Sequence, residues 1–393
     1  MTTAEIQGNR LIIPHENWRS KKIYAYCPSC DDVFGVPKGE SLNCTGCRRA
    51  CRDVFEHLVE RINTIWRFFE HMRVQDGPFG LFRESDYPNP WSLQATYRAL
   101  ETRWSLVEYG FEEPYTPWQI DEWVQTILSY AHPESGLIEE PFAAEQTSRS
   151  QEFFGTMYNL SNRLAEVFKN MDKPDVYRVP LQQLQHYDHL TSRQSTLDFL
   201  VRDLWHTNPW GMGAQTSYQV DRHERILHET NQPDDGMVDL VHHWLDEHQD
   251  PQTGYWFGSK ATMNTSACGA YKLICWLYRT RNWKINHLEK IVDTTLGLQT
   301  PRGDFGDNGY SCRVWDPMLL LKVGMDRLDD YRQEEIFDAA ARVFLNVIDH
   351  WSDEEHTFTQ DKSKPARILD LMQWAVVLYI GEFLLGVPIF GNE

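Results

Sequence analysis

Apolar residues recur at helical spacing almost throughout the chain from residue 53 onward. No convincing run of alternating apolar and polar residues, the pattern of a half-buried strand, interrupts them. We therefore predict an all-α fold of about twelve helices for this part of the chain. The candidate helices cover 53–75, 91–110, 116–131, 151–172, 195–206, 211–228, 235–248, 262–281, 285–299, 314–328, 332–351 and 366–386.

Similar turn segments follow several of these helices. Each combines turn-forming residues with a glycine and a following apolar or aromatic residue. They lie at 76–80, 132–137, 250–256 and 300–306. Gly254 and Gly303 are 49 positions apart, and Gly136 and Gly254 are 118 apart, which is roughly two longer units. This spacing indicates an internal repeat of about six helical hairpins.

Six hairpins joined by glycine-aromatic turns resemble the α/α toroids. That group includes the six-hairpin glycosidases, the toroidal polysaccharide lyases and the terpenoid-cyclase and protein-prenyltransferase family. The resemblance spans roughly residues 53–390 and implies a closed ring whose long loops gather at one mouth above a central cavity. An open solenoid of the same hairpins is the alternative. Closure is favoured because it lets the first and last helices bury each other's apolar faces.

Two Cys-x-x-Cys pairs, Cys27 with Cys30 and Cys44 with Cys47, are separated by thirteen residues. Each pair places two thiolates on one turn, and two facing turns complete a tetrahedral sulfur shell for zinc. With strand-like flanks, the segment 20–52 resembles a zinc ribbon. We expect a structural zinc site in a module of residues 1–52 and an α/α toroid domain in residues 53–393. A disulfide framework is the weaker alternative, and Cys51 is a spare thiol.

The charge balance excludes some partners and the aromatic content suggests others. The chain has 57 acidic against 38 basic residues, a formal net charge of −19, which disfavours nucleic acid and anionic membranes as partners. Its 15 Trp, 17 Tyr and 19 Phe suit stacking on weakly polar ligands such as sugar rings. The N-terminus lacks the pattern of a secretory signal, so a cytoplasmic location is expected. The apolar stretch 371–390 is interrupted by polar residues and predicts a buried helix in place of a membrane span.

The segment 303–316 concentrates residues capable of catalysis. Asp307 and Asp316 could form the pair of carboxyl groups that a glycosidase needs, with Glu140 as another candidate acid. Tyr310 could instead act as the base of a lyase. The alternative for Asp316, which precedes a proline, is a helix N-cap. Turn and core roles likewise compete with the predicted substrate-binding residues, namely Trp210, Gln215, Trp256, Asn308 and Arg313.

The resemblance therefore implies a carbohydrate-active enzyme, a glycoside hydrolase or a lyase acting on an oligosaccharide. The alternative is a non-catalytic zinc-ribbon and toroid scaffold that binds a protein or a glycan. A prenyltransferase or terpenoid-cyclase-like enzyme is third. The chain contains no phosphate-binding loop, dinucleotide fingerprint or serine-hydrolase elbow, which disfavours those classes.

Overall fold

The computed structural model is helix-rich, with a few short strands. It describes residues 5–7, 10–12, 21–50, 52–53, 57, 61, 64–84, 91–108, 113–139, 157–256, 258–306, 312–359, 366 and 368. The chain divides into two compact units. Unit 1 comprises Met1–Val179 with Ala340–Glu393, and unit 2 comprises Pro180–Ala339. The predicted domain boundary at residue 52 stays a prediction.

The strands of unit 1 form small antiparallel sheets. The strands are β1 (Glu5–Gln7), β2 (Arg10–Ile12), β3 (Lys22–Cys27), β4 (Asp32–Pro37), β5 (Arg52–Asp53), β6 (Trp351–Ser352) and β7 (Thr357–Phe358). β1 pairs with β2, β6 with β7, and β3 lies between β4 and β5. In the register of the central sheet, Cys27 faces Asp32. Asp53 pairs with Ala25, so the predicted start of a helix at residue 53 is wrong.

The helices of unit 1 enclose an aromatic core. They are α1 (Ile65–Met72), α2 (Leu93–Glu108), α3 (Pro117–Leu128) and α4 (Met157–Asn170). The Thr116 hydroxyl and the Gln119 side chain form a capping box that begins α3. Trp123 of α3 is fully buried, stacks on Phe82 at 4.8 Å and donates its indole N–H to the Thr96 carbonyl. These contacts bury large apolar surfaces while satisfying the one polar atom of the indole.

Unit 2 consists of helices joined by short connections. They are α5 (Leu181–Tyr187), α6 (Arg193–Leu200), α7 (Leu204–Thr207), α8 (Pro209–Glu229), α9 (Met237–His248), α10 (Met263–Leu273), a π-helical turn (Ile274–Tyr278), α11 (Leu288–Leu298) and α12 (Cys312–Arg327). Helix α13 (Gln333–Asp349) crosses the boundary between the units. These helices lie on the predicted segments, except that α5 occupies a stretch predicted as a connection. The predicted helix 366–386 lies outside the described residues, apart from residues 366 and 368. Within the described part of the chain, no helix has the length and apolar character needed to cross a bilayer.

Two of the repeated turns, both in unit 2, are closed by a backbone hydrogen bond between their ends. The Asp250 N–H donates to the Tyr255 carbonyl at 2.8 Å, and the Thr300 N–H donates to the Asp304 carbonyl at the same distance. Gly254 has a φ of +77°, and a Cβ at this position would lie 2.5 Å from Ile291. Only glycine fits both conditions.

Two glutamines repeat the same contact on these turns. Gln249 donates to the Gly254 carbonyl at 2.8 Å, and Gln299 donates to the Gly303 carbonyl at 3.4 Å. Each also donates to a backbone carbonyl elsewhere in the unit, that of Asn286 or of Ala339. Two of the four turn segments therefore share a glutamine contact, and the internal repeat of about six hairpins stays a prediction.

Glycines bring α8 and α10 into close contact. A Cβ added to Gly213 would lie 2.6 Å from the Gly269 carbonyl oxygen, and one added to Gly269 would lie 2.6 Å from that of Pro209. Both distances are shorter than any normal Cβ contact, so the two backbones approach this closely only because both residues are glycine. This contact positions the start of α8 beside α10.

A proline similarly fixes α12 against α10. Pro317 lies inside α12 and has no N–H to donate to the carbonyl of Arg313, four residues earlier. Asn264 of α10 donates to that carbonyl instead, at 2.9 Å, and also to the Phe305 carbonyl at 3.1 Å. The side chain of α10 thus supplies the hydrogen bond that the proline removes.

Candidate metal centre and buried acid

The four predicted ligand cysteines of unit 1 lie together. Their sulfur atoms all lie within 4.8 Å of one another, and the Cys27–Cys47 and Cys30–Cys44 sulfur pairs are each 3.5 Å apart. These distances are far longer than a disulfide bond of about 2.05 Å. A zinc ion with tetrahedral bonds of about 2.3 Å requires sulfur atoms about 3.8 Å apart. The cluster therefore fits a tetrahedral metal ion and does not form the alternative disulfide framework.

Two similar turns position these sulfur atoms. Cys27 ends β3 and its carbonyl accepts from the Cys30 N–H at 3.3 Å, while the Cys44 carbonyl accepts from the Arg48 N–H at 2.8 Å. The residue after each pair, Asp31 or Arg48, has a φ of +51° or +59°. The left-handed backbone at these positions turns the chain back after each pair.

The first turn also lowers the pKa of one thiol, that of Cys27. Burial raises the pKa of Cys27, but the Cys30 backbone N–H and the neighbouring thiols more than offset it and lower that pKa to about 6. Hydrogen bonds with the Cys44 and Cys47 side chains, with burial as a smaller effect, raise the pKa of Cys30 to about 12. A metal ion binds thiolates, so it would displace the remaining protons.

Asp316 forms the second candidate site, in unit 2. Helix α12 begins at Cys312, so Asp316 lies inside the helix and its alternative role as an N-cap is wrong. Its side chain is 1% exposed and contacts Lys272 of α10, with 3.5 Å between Oδ1 and Nζ. The other carboxylate oxygen accepts no hydrogen bond of normal geometry from the described residues. A carboxyl group placed in this way is poorly solvated in its charged form.

The lysine opposite Asp316 is held between aromatic rings. Lys272 Nζ lies 4.5 Å from the centre of the Tyr271 ring and 4.2 Å from that of Trp276. The Trp276 indole N–H donates to the Tyr271 hydroxyl at 3.3 Å. These two residues are five apart and flank the start of the π-helical turn, whose wider winding brings positions i and i+5 onto one face. The turn thereby builds two sides of a cation–π cage around the ammonium group.

Burial and charge oppose each other at Asp316. Burial is the larger effect and raises the pKa of Asp316 to about 7. The positive charge of the Lys272 ammonium group is the main effect in the opposite direction and favours the ionised carboxylate. At neutral pH the carboxyl group therefore divides between its acid and carboxylate forms, as required of a group that exchanges protons during a reaction.

The nearby thiols do not share this property. Burial raises the pKa of Cys312 to about 11 and that of Cys268 well above its ordinary value. Both thiols stay protonated at neutral pH and are poor nucleophiles. Asp316 is thus the group with a pKa suited to proton transfer in this cluster.

The structure places the other predicted site residues as follows. Trp210 and Gln215 are half-buried on α8, and Arg313 is exposed in the first turn of α12. Trp256 is a core residue, 1% exposed, whose indole N–H donates to the Leu245 carbonyl at 2.8 Å. The remaining predicted residues lie outside the described residues: Glu140, Asp307, Asn308 and Tyr310.

Lys272 was missed by the sequence analysis. Its signal is a charged residue within the apolar run 267–278, which also contains Tyr271, Cys275 and Trp276. A lysine on an apolar helix is almost never fully buried unless it is paired. That pattern predicts a buried partner but does not identify it.

No family model, curated protein or solved structure matches this chain. The geometry of the cysteine cluster and of the Asp316 site is therefore the basis for any functional assignment.

Proposed function

We propose that the chain is a carbohydrate-active enzyme, a glycoside hydrolase or lyase, in which Asp316 is the general acid. The observation that carries the proposal is the buried Asp316 carboxyl group beside Lys272, with a pKa raised to about 7. Cleavage of a glycosidic bond needs a carboxylic acid that is still protonated near neutral pH to protonate the leaving oxygen. An exposed aspartate, with an ordinary pKa near 3.9, cannot supply that proton.

The toroid belongs to the same proposal. The repeated hairpin turns of unit 2 and the matching contacts of Gln249 and Gln299 support a repetitive helical architecture. In a toroid the loop before α12 would lie at the mouth, and this loop contains Asp307. Since the loop leads directly into the helix of Asp316, its residues are the natural source of the partner group.

The second catalytic group, which would act together with Asp316, differs between a hydrolase and a lyase. In a hydrolase, Asp307 would be the second carboxyl group, acting as base or nucleophile on the other side of the bond. In a lyase, Tyr310 would remove the proton next to a uronic acid carboxylate, which Arg313 and Asn308 would bind. Trp210, half-buried at the start of α8 and close to Asp316, is the candidate for stacking on the sugar.

Turnover on a panel of neutral and uronic-acid oligosaccharides tests this proposal. Asp316→Asn keeps the shape of the side chain but cannot donate a proton, so we expect a ~10²–10⁴-fold loss of turnover. Asp326→Asn is the matched control, since Asp326 lies on the same helix and pairs with Lys322 at 2.8 Å near the surface. Asp307→Asn tests the hydrolase, and Tyr310→Phe tests the lyase.

The outcomes separate the candidate functions. Reducing ends without unsaturation indicate a hydrolase, and an unsaturated uronic product indicates a lyase. Turnover that survives Asp316→Asn contradicts the role of this residue. A chain that binds sugars or a protein without turning over any member of the panel contradicts the enzyme and favours the scaffold.

We also propose that Cys27, Cys30, Cys44 and Cys47 hold a structural zinc ion. Their sulfur spacing supports a closed site with four thiolate ligands, which leaves no open position for a substrate. The ion, when bound, would join the two turns that carry the cysteines. Metal analysis of the purified chain tests this, with one zinc per chain expected, and Cys275→Ser, outside the cluster, retains the metal if the assignment holds.

A further inference from the structure

A buried histidine of unit 2 lies between two carboxylates, away from the residues assigned above. His223 is on α8 and its side chain is 4% exposed. Its Nδ1 lies 2.9 Å from Asp188 Oδ2, and its Nε2 lies 3.1 Å from Asp235 Oδ1. The two aspartates belong to different connections, one after α5 and one before α9.

Both carboxylates already accept backbone hydrogen bonds. Asp188 accepts from the Leu190 N–H at 2.9 Å, and Asp235 accepts from the Met237 N–H at 3.1 Å. An ionised carboxylate can only accept, so each ring nitrogen of His223 must donate. An imidazole donates from both nitrogens only as the imidazolium cation.

The exposure of the two aspartates differs. The Asp188 side chain is 4% exposed, whereas that of Asp235 is 40% exposed. If His223 carries one proton, one nitrogen presents a lone pair to a carboxylate, and that contact becomes repulsive. The Asp235 contact is the one that water can replace, because a buried charge at Asp188 would be left without a partner.

Other charged groups near His223 are engaged elsewhere. On α8, Arg222 donates to the Tyr187 carbonyl, and Asp221 and Glu224 pair with Arg281. The elements packed against α8 carry further ionisable groups, and each of these has a contact of its own. The His186 ring of α5 packs against the Tyr187 ring. Asp203, beside α7, pairs with Lys260, and Lys272 of α10 pairs with Asp316. His189, next to Asp188, stacks on Phe199, and Asp234, next to Asp235, accepts from the Gly236 N–H. The two flanking carboxylates are therefore the main charges that act on His223.

We propose that His223 is a proton-operated clasp that joins the connection at 188–190 to the connection at 230–236. The protonated ring holds both connections against α8. Loss of one proton releases Asp235, and with it the start of α9, while the Asp188 contact persists.

The direction of the pH dependence follows from the same contacts. Burial lowers the pKa of His223, but the hydrogen bonds and charges of Asp188 and Asp235 outweigh it and raise the pKa above 6.5. A histidine with a raised pKa in the folded state stabilises the fold fully below its unfolded value. That stabilisation is lost as pH rises through the folded pKa. The clasp is therefore closed below the unfolded-state pKa of histidine and opens as pH rises through the raised pKa of the folded state.

Hydrogen exchange measured across pH 5–9, corrected for intrinsic rates, tests the clasp. In the wild type we expect protection of amides in 232–240 to fall as pH rises, while amides at 190–196 change little. In His223→Gln that pH dependence should be absent. His228→Gln, an exposed histidine on the same helix, should behave as the wild type. Protection of 232–240 that is independent of pH in the wild type overturns the proposal.

A second measurement keeps the test valid if His223→Gln does not fold. Nitrogen NMR of the wild-type histidine rings should show His223 protonated at both nitrogens at pH 6.5. In Asp235→Asn, the amide oxygen still accepts a hydrogen bond but carries no charge, so the titration of His223 should move to lower pH. A neutral His223 ring at pH 6.5, or an unchanged titration in Asp235→Asn, contradicts the clasp.

Discussion

The cysteine cluster and the Asp316 site are built in opposite ways. The four cysteines lie within residues 27–47, on two turns, and Cys30 is exposed. Asp316 and Lys272 are 44 residues apart on two packed helices, and both are buried. In the proposed assignment a zinc ion would hold the turns of the cluster together, whereas helix packing holds the acid in place. The first site should respond to metal removal and the second to changes in packing and pH.

Removal of the proposed zinc ion should have the largest effect on stability, and this effect should be confined to residues 22–50 around the four cysteines. A structural zinc site contributes roughly 10–16 kcal/mol of apparent binding free energy near neutral pH, most of it coupled to folding. We expect a chelator, or Cys44→Ser, to abolish hydrogen-exchange protection in residues 22–50 and leave the helices of unit 2 protected. Equal loss of protection in α8, α10 and α12 would break the contrast between the two sites.

The pH dependence of stability should identify Asp316 next. Its pKa is about 7 in the folded chain, compared with an ordinary value of 3.8. Because the folded state holds the proton more tightly, this group stabilises the fold fully below about pH 4, and the contribution is lost as pH rises through about 7. A shift of about three pKa units corresponds to about 4 kcal/mol.

The side chain of the Asp316→Asn variant cannot ionise, so the variant should lack this pH-dependent contribution to stability. Chemical denaturation at pH 4 and at pH 8 measures the change in unfolding free energy for the variant and the wild type. The wild type should lose up to about 4 kcal/mol more than the variant between the two pH values. If the unfolding free energies of the variant and the wild type change equally with pH, the Asp316 carboxyl group is exposed to water. Asp326→Asn controls for removal of a surface charge from the same helix.

The glycine contact between α8 and α10 should have a smaller effect. Gly269→Ala forces a Cβ to within 2.6 Å of the Pro209 carbonyl oxygen, which should destabilise the fold by ~1–3 kcal/mol. Gly297→Ala, within α11, has no atom within 4 Å of the added Cβ and should stabilise by ~0.4–1 kcal/mol. Thermal unfolding of the two variants measures both effects. A Gly269→Ala variant as stable as the wild type would show that the helices are not packed this closely.

Lys272 should have the most specific effect. Its ammonium lowers the pKa of Asp316, so Lys272→Met should move the titration of that carboxyl group upward from about 7. For a reaction that uses the acid form, the alkaline limb of the pH–activity profile moves in the same direction. Lys322→Met is the control, because Lys322 pairs with Asp326 on the surface of α12. If the alkaline limb of the pH–activity profile is unchanged in Lys272→Met, Lys272 does not act on the Asp316 carboxyl group.

The difference between the sites also decided what the sequence could predict. The Cys-x-x-Cys spacing is local, so it predicted a cluster that the folded chain confirms. Most helices were predicted as well, because apolar periodicity is a property of one segment at a time. The start of α12 shows the limit of such patterns, since Asp-Pro suggested an N-cap as the alternative role of Asp316 and the helix begins at Cys312.

Contacts between distant segments could not be predicted in this way. Lys272 and Asp316, and likewise His223 with Asp188 and Asp235, meet only when separate helices pack, and no spacing rule connects them. The π-helical turn after α10 has no signature in the apolar pattern, yet it aligns Tyr271 with Trp276. Burial raises the pKa of Asp316, and burial at that position depends on the whole unit.

The titration of the Asp316 carboxyl group is the decisive measurement for the proposed general acid, because it requires no knowledge of the substrate. With aspartate labelled at the carboxyl carbon, NMR spectra of the wild type and of Asp316→Asn identify its resonance by difference. We expect one aspartate that titrates near pH 7 and whose signal is missing in the variant. If every aspartate resonance has completed its titration by about pH 5, Asp316 is an ordinary carboxylate and cannot be the acid proposed here.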